Sequence, residues 1–595
     1  MTGSFRPHVL REYAMIADGE RGALIGPDGA ISWLCAPRWD SPAVFGGLLG
    51  GNGAYAVTPS DPWHVWGGYY EPGTLIWRSR WVGSSRTECR EALAMPADPD
   101  RVVILRRIEA IDGPTKVNVL LDVRAGFGSS AMTGLSRRDG YWTGRSGRLR
   151  LRWSGAARAR AGKDGLTLTV TLPAGGHHDL VLELSDRPLE AASLNTGPPN
   201  PDEAWAATEE TWSNVVPSCD DLIAARDARH AYAVLRGLTS SSGAMVAAAT
   251  TSLPERLEGG RNYDYRFAWI RDQCYAGLAV AAHGPHPLLE GSVRFLTERI
   301  LADGPDLMPA YAVDGQPLPD ERAPRLRGYP GGTVKVGNRV TDQFQLDGLG
   351  EALELFAAAA RLDMLAEENW QAAATAAEAI KKRWQQPDAG IWELEDRHWT
   401  HSRLACVSGL RSLAATAGGA PDGHGHRQAA RWSTLADTLL ASLDDAVHPA
   451  GRWQRSPEDP RVDAALLLPV IRGTLPADDP RSSATVRAVL DELTEDGYVY
   501  RFRHDARPLH KSEGAFLLCG FWMAQVAQAC GDTAEAARWF ERNRAACGPS
   551  GLYTEEYDVR QRQLRGNLPQ AFVHAGMLEC AARLSAAPSG PGQLR

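Results

Sequence analysis

At 595 residues the chain exceeds what one hydrophobic core normally serves, so at least two domains are expected. Hydrophobic residues make up 44% and charged residues 23%, a globular composition that excludes a disordered or fibrous chain. The net charge of -8 comes from intermixed acids and bases, which leaves no footprint for nucleic acid or an anionic membrane and favours a neutral or weakly charged ligand.

The start, MTGSFRPHVLREYAM, has no uninterrupted apolar run and no small-residue cleavage site, and no later stretch has the length of a membrane span. A cytoplasmic protein that meets no membrane is expected. Nine cysteines without a C-x-x-C pair match neither a disulfide framework nor a zinc site. They read as buried free thiols, Cys519 and Cys530 in apolar helices among them.

Strand signals fill the first part of the chain: RVVILR at 101–106, KVNVLLDV at 116–123, and the alternating LTLTVTL at 166–172. Asp-Gly pairs at Asp28-Gly29, Asp112-Gly113, Asp139-Gly140 and Asp164-Gly165 predict tight hairpins, since glycine tolerates the positive φ such turns need. A β-sandwich domain over 1–215 follows. The NTGPPNP stretch within 191–202 reads as a connector, with helices beginning near Asp220. Residues 343–362 then show helical spacing in Phe344, Leu346, Leu349, Leu353 and Phe356. About twelve candidate helices follow up to Ala586; six pairs closing on themselves over 220–590 would make a toroid with a central pocket.

Three segments carry candidate chemistry. RNYDYRFAWIRD at 261–272 mixes aromatic, cationic and anionic side chains, as sugars require: a pyranose face stacks on Trp or Tyr, and its hydroxyls bind Asp and Arg. A buried Arg-Asp pair capping a helix, with Trp269 and Tyr265 as core, accounts for it equally. PDAGIWELEDRHWTHSRL at 387–404 sets Glu393 beside Trp392, where partial burial would keep a carboxyl protonated and able to donate. A surface salt bridge from Glu393 to Arg397 or Arg403 is the plainer account, and His398 and His401 read as supporting or surface residues. GLYTEEYD at 551–558 offers Glu555 and Glu556, of which at most one can face a pocket, the other being solvated or paired with Arg560. In HKSEGAFLLCGFW at 510–522, Glu513 reads as a structural residue in the first turn of a buried helix.

Taken in order along nearly the whole chain, these motifs resemble glycoside hydrolase family 15, the glucoamylase, glucodextranase and bacterial trehalase group. The match includes LIGPDGAISWLCAPRWDSPAVF at 24–45, GGRNYDYRFAWIRD, GYPGGTVKVGN with DQFQLDGLGE, GIWE with HWTHSR, EGAFLLCGFW and GNLPQAF. The resemblance implies an amino-terminal β-sandwich followed by an (α/α)6 barrel. It implies Glu393 as general acid and Glu555 as general base, Arg271 and Asp272 holding the terminal glucose, Trp269 as their neighbouring aromatic, and Tyr265 near the nucleophilic water; Trp392, the aromatic beside Glu393, is a further candidate for binding substrate. Such a pair inverts the anomeric centre and needs no metal or cofactor.

The expected activity is an inverting exo-α-glucosidase acting on short α-1,4- or α-1,6-glucosides, with α,α-trehalase as the alternative. A sugar-binding sensor without turnover would have lost a glutamate, and a disaccharide phosphorylase would need a phosphate site in place of TEEYD. Arg339, where relatives carry small residues, is expected to border the pocket. The expected partner is a small gluco-oligosaccharide or disaccharide. The linkage, a homo-oligomeric state, and any response to phosphate or magnesium are left open.

Overall fold

The computed structural model describes residues 6–189, 197–256, 260–417 and 425–586. Two antiparallel eight-stranded sheets form its amino-terminal part. One runs from Ala14–Ala17 through Gly22–Ile25, Ala30–Cys35, Ala54–Pro59, Thr115–Asp122 and Gly165–Leu172 to Arg160–Gly162, with Ala43–Phe45 beside Ala30–Cys35. The other runs from Met132–Arg138 through Tyr141–Ser146, Leu149–Ser154, His177–Ser185, Arg101–Ala110, Arg86–Leu93 and Trp77–Val82 to Val65–Tyr70. In Gly165–Leu172 the leucines and Val170 are buried while Thr167, Thr169 and Thr171 are exposed, the alternation of a strand with one face on a core. Trp77, Trp81 and Trp153 of the second sheet pack with Val57, Val119 and Leu121 of the first.

One buried cation ties the sheets together. Arg106 pairs with Glu91 on its own sheet and donates to the carbonyls of Tyr55 and Gly29 on the other, each at 2.7 Å. Isolated in an apolar core this guanidinium would be costly; with those acceptors it is a staple.

Three of the four Asp-Gly signals mark hairpins. Asp139 and Gly140 both have positive φ between two paired strands, and Gly29 and Gly165 have φ of +73° and +116°. Asp112-Gly113 differs: Arg101–Ala110 and Thr115–Asp122 lie in different sheets, so this turn is a crossover and Gly113 has no positive φ. The helical region also begins earlier than Asp220. Asn200 caps a helix α1, Pro201–Val215, through its side chain, and Trp205 and Trp212 bury α1 in the molecule's core. Part of the expected connector, 190–196, lies outside the described residues.

The second part is a double ring of helices: α2 Ala225–Leu238, α3 Ile270–His283, α4 Pro287–Asp303, α5 Leu346–Arg361, α6 Glu367–Arg383, α7 Thr400–Thr416, α8 Gly425–Ala441, α9 Leu468–Ile471, α10 Pro480–Leu493, α11 Leu517–Ala529, α12 Thr533–Arg544 and α13 Ala571–Ser585. Helices α3, α5, α7, α9, α11 and α13 contact each other in sequence and α13 closes on α3, which makes the inner ring of an (α/α)6 barrel. The fourth inner place is held by the single turn α9, extended by the 3-10 turn Ala464–Leu467. Where α5 meets α7, a Cβ on Gly350 would lie 2.5 Å from backbone atoms of Ala405, so only glycine permits this approach.

Of the cysteines, seven are buried, Cys547 is half-buried and Cys530 is exposed, because Cys530 falls at the end of α11 rather than on its inner face. Among the described residues no helix is long and apolar enough to cross a membrane.

Candidate active site

The segment 261–272 sits on the amino-terminal part. Arg266 and Asp264 form a buried pair at 2.7 Å, and Arg266 also donates to the carbonyls of Ser41 at 2.8 Å and Trp39 at 3.3 Å. Trp33 donates its indole N–H to Ala249 O at 2.9 Å. The WLCAPRWDSP motif is therefore a platform beneath this segment. A buried Arg-Asp pair is present, but it joins Arg266 and Asp264 and caps no helix, which leaves Tyr265, Trp269 and Arg271 for other partners. Two-residue strands Ala268–Trp269 and Ala310–Tyr311 pair and fix Trp269 at the mouth of α3.

Glu393 receives the indole N–H of Trp269 at 2.9 Å and an Nη2–H of Arg271 at 3.2 Å, both on Oε1. Its backbone has φ +55°, a left-handed turn held by Glu393 N donating to Gly390 O and by Asp388, which accepts from Gly390 N and from Ser402. The surface alternative does not hold: Arg397 pairs with Glu395 and Arg403 with Asp445. The Glu393 side chain is 28% exposed, whereas Glu555 is 5% exposed.

Glu555 precedes the strand Glu556–Asp558, and neighbours in an extended chain point apart. Glu555 faces Tyr265, whose hydroxyl lies 3.1 Å from Oε2 and 3.3 Å from Oε1. Glu556 faces the other way, accepting from Gly514 N at 2.8 Å and Arg501 at 3.5 Å. Arg560 is engaged with Glu495 instead. The Tyr265 and Trp269 rings meet edge to face at 5.5 Å, so the holders of the two carboxylates touch. Burial, then the neighbouring Glu255 carboxylate, pushes Glu555 well above the ordinary carboxylate range.

Arg271 also reaches Gln345 at 3.4 Å and lies 4.0 Å from Asp272. Burial works against its cation, but Glu393, Asp272 and Asp347 outweigh that and its pKa rises. Asp272 is pushed up to about 7 by burial, with Arg271 opposing, and Asp347 to about 6 for the same two reasons. Trp392 is half-buried; it donates to Asp463 at 2.8 Å and packs on Phe516 and Trp522, touching neither Glu393 nor Glu555 through a hydrogen bond. His401 lies in the barrel interior, its pKa lowered to about 3 by burial and then by Arg271 and Arg472, so it is neutral. Glu513 precedes α11 in extended backbone and pairs with Arg501 at 2.5 Å and His504 at 2.7 Å, so it is not in a helical first turn. Arg339 is exposed.

Glu255, Arg261, Gln345, Asp347 and Arg501 complete the surroundings and were not picked out from the sequence. Glu255 stands in SLPERL without an aromatic neighbour and is not marked locally, whereas Arg501, between Tyr500 and Phe502 in YVYRFRH, carries the same aromatic and cationic signal as 261–272. Among the described residues no group of three or more His, Cys, Asp or Glu could hold a metal ion.

The model of glycosyl hydrolases family 15 matches residues 229–582, and a trehalase-like amino-terminal model matches residues 2–167. The chain belongs to glycosyl hydrolases family 15. It is a glycoside hydrolase, with the inverting mechanism characteristic of the family. The trehalase of Mycobacterium tuberculosis (strain ATCC 25618 / H37Rv) is 32% identical over 97% of this chain and 89% of that protein. The trehalase of Mycolicibacterium smegmatis (strain ATCC 700084 / mc(2)155) is 30% identical over 97% and 91%. The solved structure of a bacterial glucoamylase complexed with acarbose shares the fold, with a TM-score of 0.67 at 14% identity over 97% of this family 15 chain and 94% of that one.

Proposed function

We propose that this family 15 hydrolase is an α,α-trehalase, with Glu393 as general acid and Glu555 as general base. The observation that carries the chemistry is the pairing of two carboxylates from distant segments through the touching Tyr265 and Trp269. The substrate is argued from the near full-length relatives that bear the name trehalase. They favour it over the short α-1,4- and α-1,6-glucosides expected from sequence.

In this reading Arg271 and Asp272 hold hydroxyls of one glucose, and Trp269 and Trp392 wall its pocket. Both donors to Glu393 use Oε1, which leaves Oε2 to carry the proton given to the bridging oxygen. The hydroxyl of Tyr265 orients a water for Glu555, which removes its proton as the water attacks C1 from the opposite face. Inversion with a water between the groups calls for carboxyls roughly 6.5–9.5 Å apart. The attacked glucose leaves as the β anomer and the other keeps its α configuration.

A proton NMR time course with trehalose, maltose and isomaltose tests this. Trehalose should be cleaved, with α- and β-glucose appearing together in equal amounts. Cleavage of maltose or isomaltose with β-glucose first, and none of trehalose, would replace trehalase by the exo-α-glucosidase.

A further inference from the structure

Each turnover leaves a proton on a buried group. When Glu555 deprotonates the attacking water and Glu393 protonates the leaving oxygen, Glu555 ends with an extra proton and Glu393 lacks one. Glu555 is 5% exposed, and during reaction a sugar fills the pocket in front of it. The next cycle requires that proton to leave Glu555, and a route behind the sugar pocket would let it go before the products do.

Among the described residues, Glu255 joins the Tyr265 hydroxyl beside Glu555 to a separate cavity. Its side is buried, with Oε2 accepting from Arg261 at 2.8 Å and Oε1 lying 3.4 Å from the Tyr265 hydroxyl that also contacts Glu555. A polar cavity of about 200 Å³ is lined by Glu255 and Gly514 at its buried end and by the exposed Lys511, Arg560 and Gln561 at its outer end. Trp269, Arg271, Glu393 and Glu555 do not line it. The fully buried Tyr500 also lines it, and its buried hydroxyl has no partner among the described residues.

The other nearby acids are committed elsewhere. Glu556 accepts from Gly514 N and Arg501, and Glu513 is held between Arg501 and His504. Glu255 is faced by the cations Arg261 and Arg501, by Tyr263 and Tyr265, and by the carboxylates Glu555 and Glu556.

We propose that Glu255 is the proton outlet of Glu555 and that the cavity behind it leads the proton to solvent. This rests on the role given to Glu555 above. The O–H bond of protonated Glu555 breaks as the Tyr265 oxygen takes the proton, and Tyr265 passes its own proton to Oε1 of Glu255. Tyr265 is left unchanged, Glu555 is again a carboxylate, and Glu255 releases the proton to cavity water. Glu255 does not touch the sugar.

The test uses the full chain with trehalose and with α-D-glucosyl fluoride, whose leaving group needs little help from Glu393. Glu255→Gln should lower kcat on both by about 10- to 100-fold, at the low end of what general acid–base groups contribute, with KM little changed. Glu255→Asp should keep part of the loss from occurring, and sodium formate, small enough for the cavity, should raise kcat of Glu255→Ala. Melting curves matching the parent exclude misfolding; should Glu255→Ala fail to fold, Glu255→Gln and Glu255→Asp carry the test. Parental kcat in Glu255→Gln, with Glu555→Gln inactive, would overturn the outlet alone. Equal losses in Glu255→Gln and Glu255→Asp without formate rescue would overturn it too, leaving a structural role. Turnover of both substrates by Glu555→Gln would instead remove the base assignment, and the outlet with it.

Discussion

The hydroxyl of Tyr265 lies within 3.3 Å of both carboxylate oxygens of Glu555, so one donor serves whichever oxygen carries the charge. Removing it in Tyr265→Phe keeps the ring contact with Trp269 and deletes the hydroxyl's contacts with Glu555 and Glu255. A hydrogen bond to a charged group is worth about 1.5–3 kcal/mol, so kcat on trehalose should fall about 10- to 100-fold. Steady-state kinetics beside a melting curve checks this; an unchanged kcat would free Tyr265 from any part in the reaction.

Trp269→Phe should act on the other carboxylate. It keeps the wall of the pocket and withdraws one of two donors to Oε1 of Glu393. The loss should be about 10-fold on trehalose and much smaller on α-D-glucosyl fluoride, since fluoride departs with little protonation. The ratio of the two effects is the measurement. Equal losses would place Trp269 in binding rather than beside the acid.

The pH profile follows from the shift of Glu555. Its pKa is raised by burial and then by Glu255, and a general base works only when deprotonated. Activity should therefore fall on the acid side at a pH above the ordinary carboxylate value of about 4.3. Measured as kcat/KM against pH, a limb at or below that value would contradict the coupling of Glu255 with Glu555.

Glu351 offers a stability test away from the chemistry. It is buried on α5, accepts from Tyr275 at 3.4 Å through Oε1, and its Oε2 has no partner among the described residues. Burial pushes it from 4.5 up to about 8. The folded pKa is the higher one, so its contribution is fully present below about pH 4.5 and is lost as pH rises through about 8. Glu351→Gln has no such loss. Its melting temperature relative to the parent should climb as pH goes from 4.5 to 8, and a flat difference would refute the shift.

Arg266→Ala should be among the most costly single changes. It strips the buried Asp264 of its partner and cuts the tie to the carbonyls of Ser41 and Trp39. Breaking a buried pair from one side costs about 3–5 kcal/mol. Urea unfolding measures it; a loss under about 1 kcal/mol would mean that the two parts of the chain are held together elsewhere.

The local sequence determined much of this protein. The alternation of LTLTVTL and the spacing in 343–362 reappear as Gly165–Leu172 and α5, because strand and helix periods depend only on which neighbours are apolar. The ordered motifs contain Tyr265, Trp269, Arg271, Glu393 and Glu555. What the tertiary structure alone decided was partnership. Local geometry along the chain does not separate Glu555 from Glu556, although the family resemblance names Glu555, and the pairing of Glu556–Asp558 with Ala515–Phe516 and Gln563–Arg565 turns one to Tyr265 and the other to Arg501. Glu255 lies 300 residues before Glu555 and carries no local mark. Asp112-Gly113 has the same residues as the hairpins and joins two sheets instead, because strand pairing is set by the packed whole. Side-chain chemistry is written along the chain, but burial and charge proximity, which shift a pKa or couple two carboxylates, arise only when distant segments share one low-dielectric space.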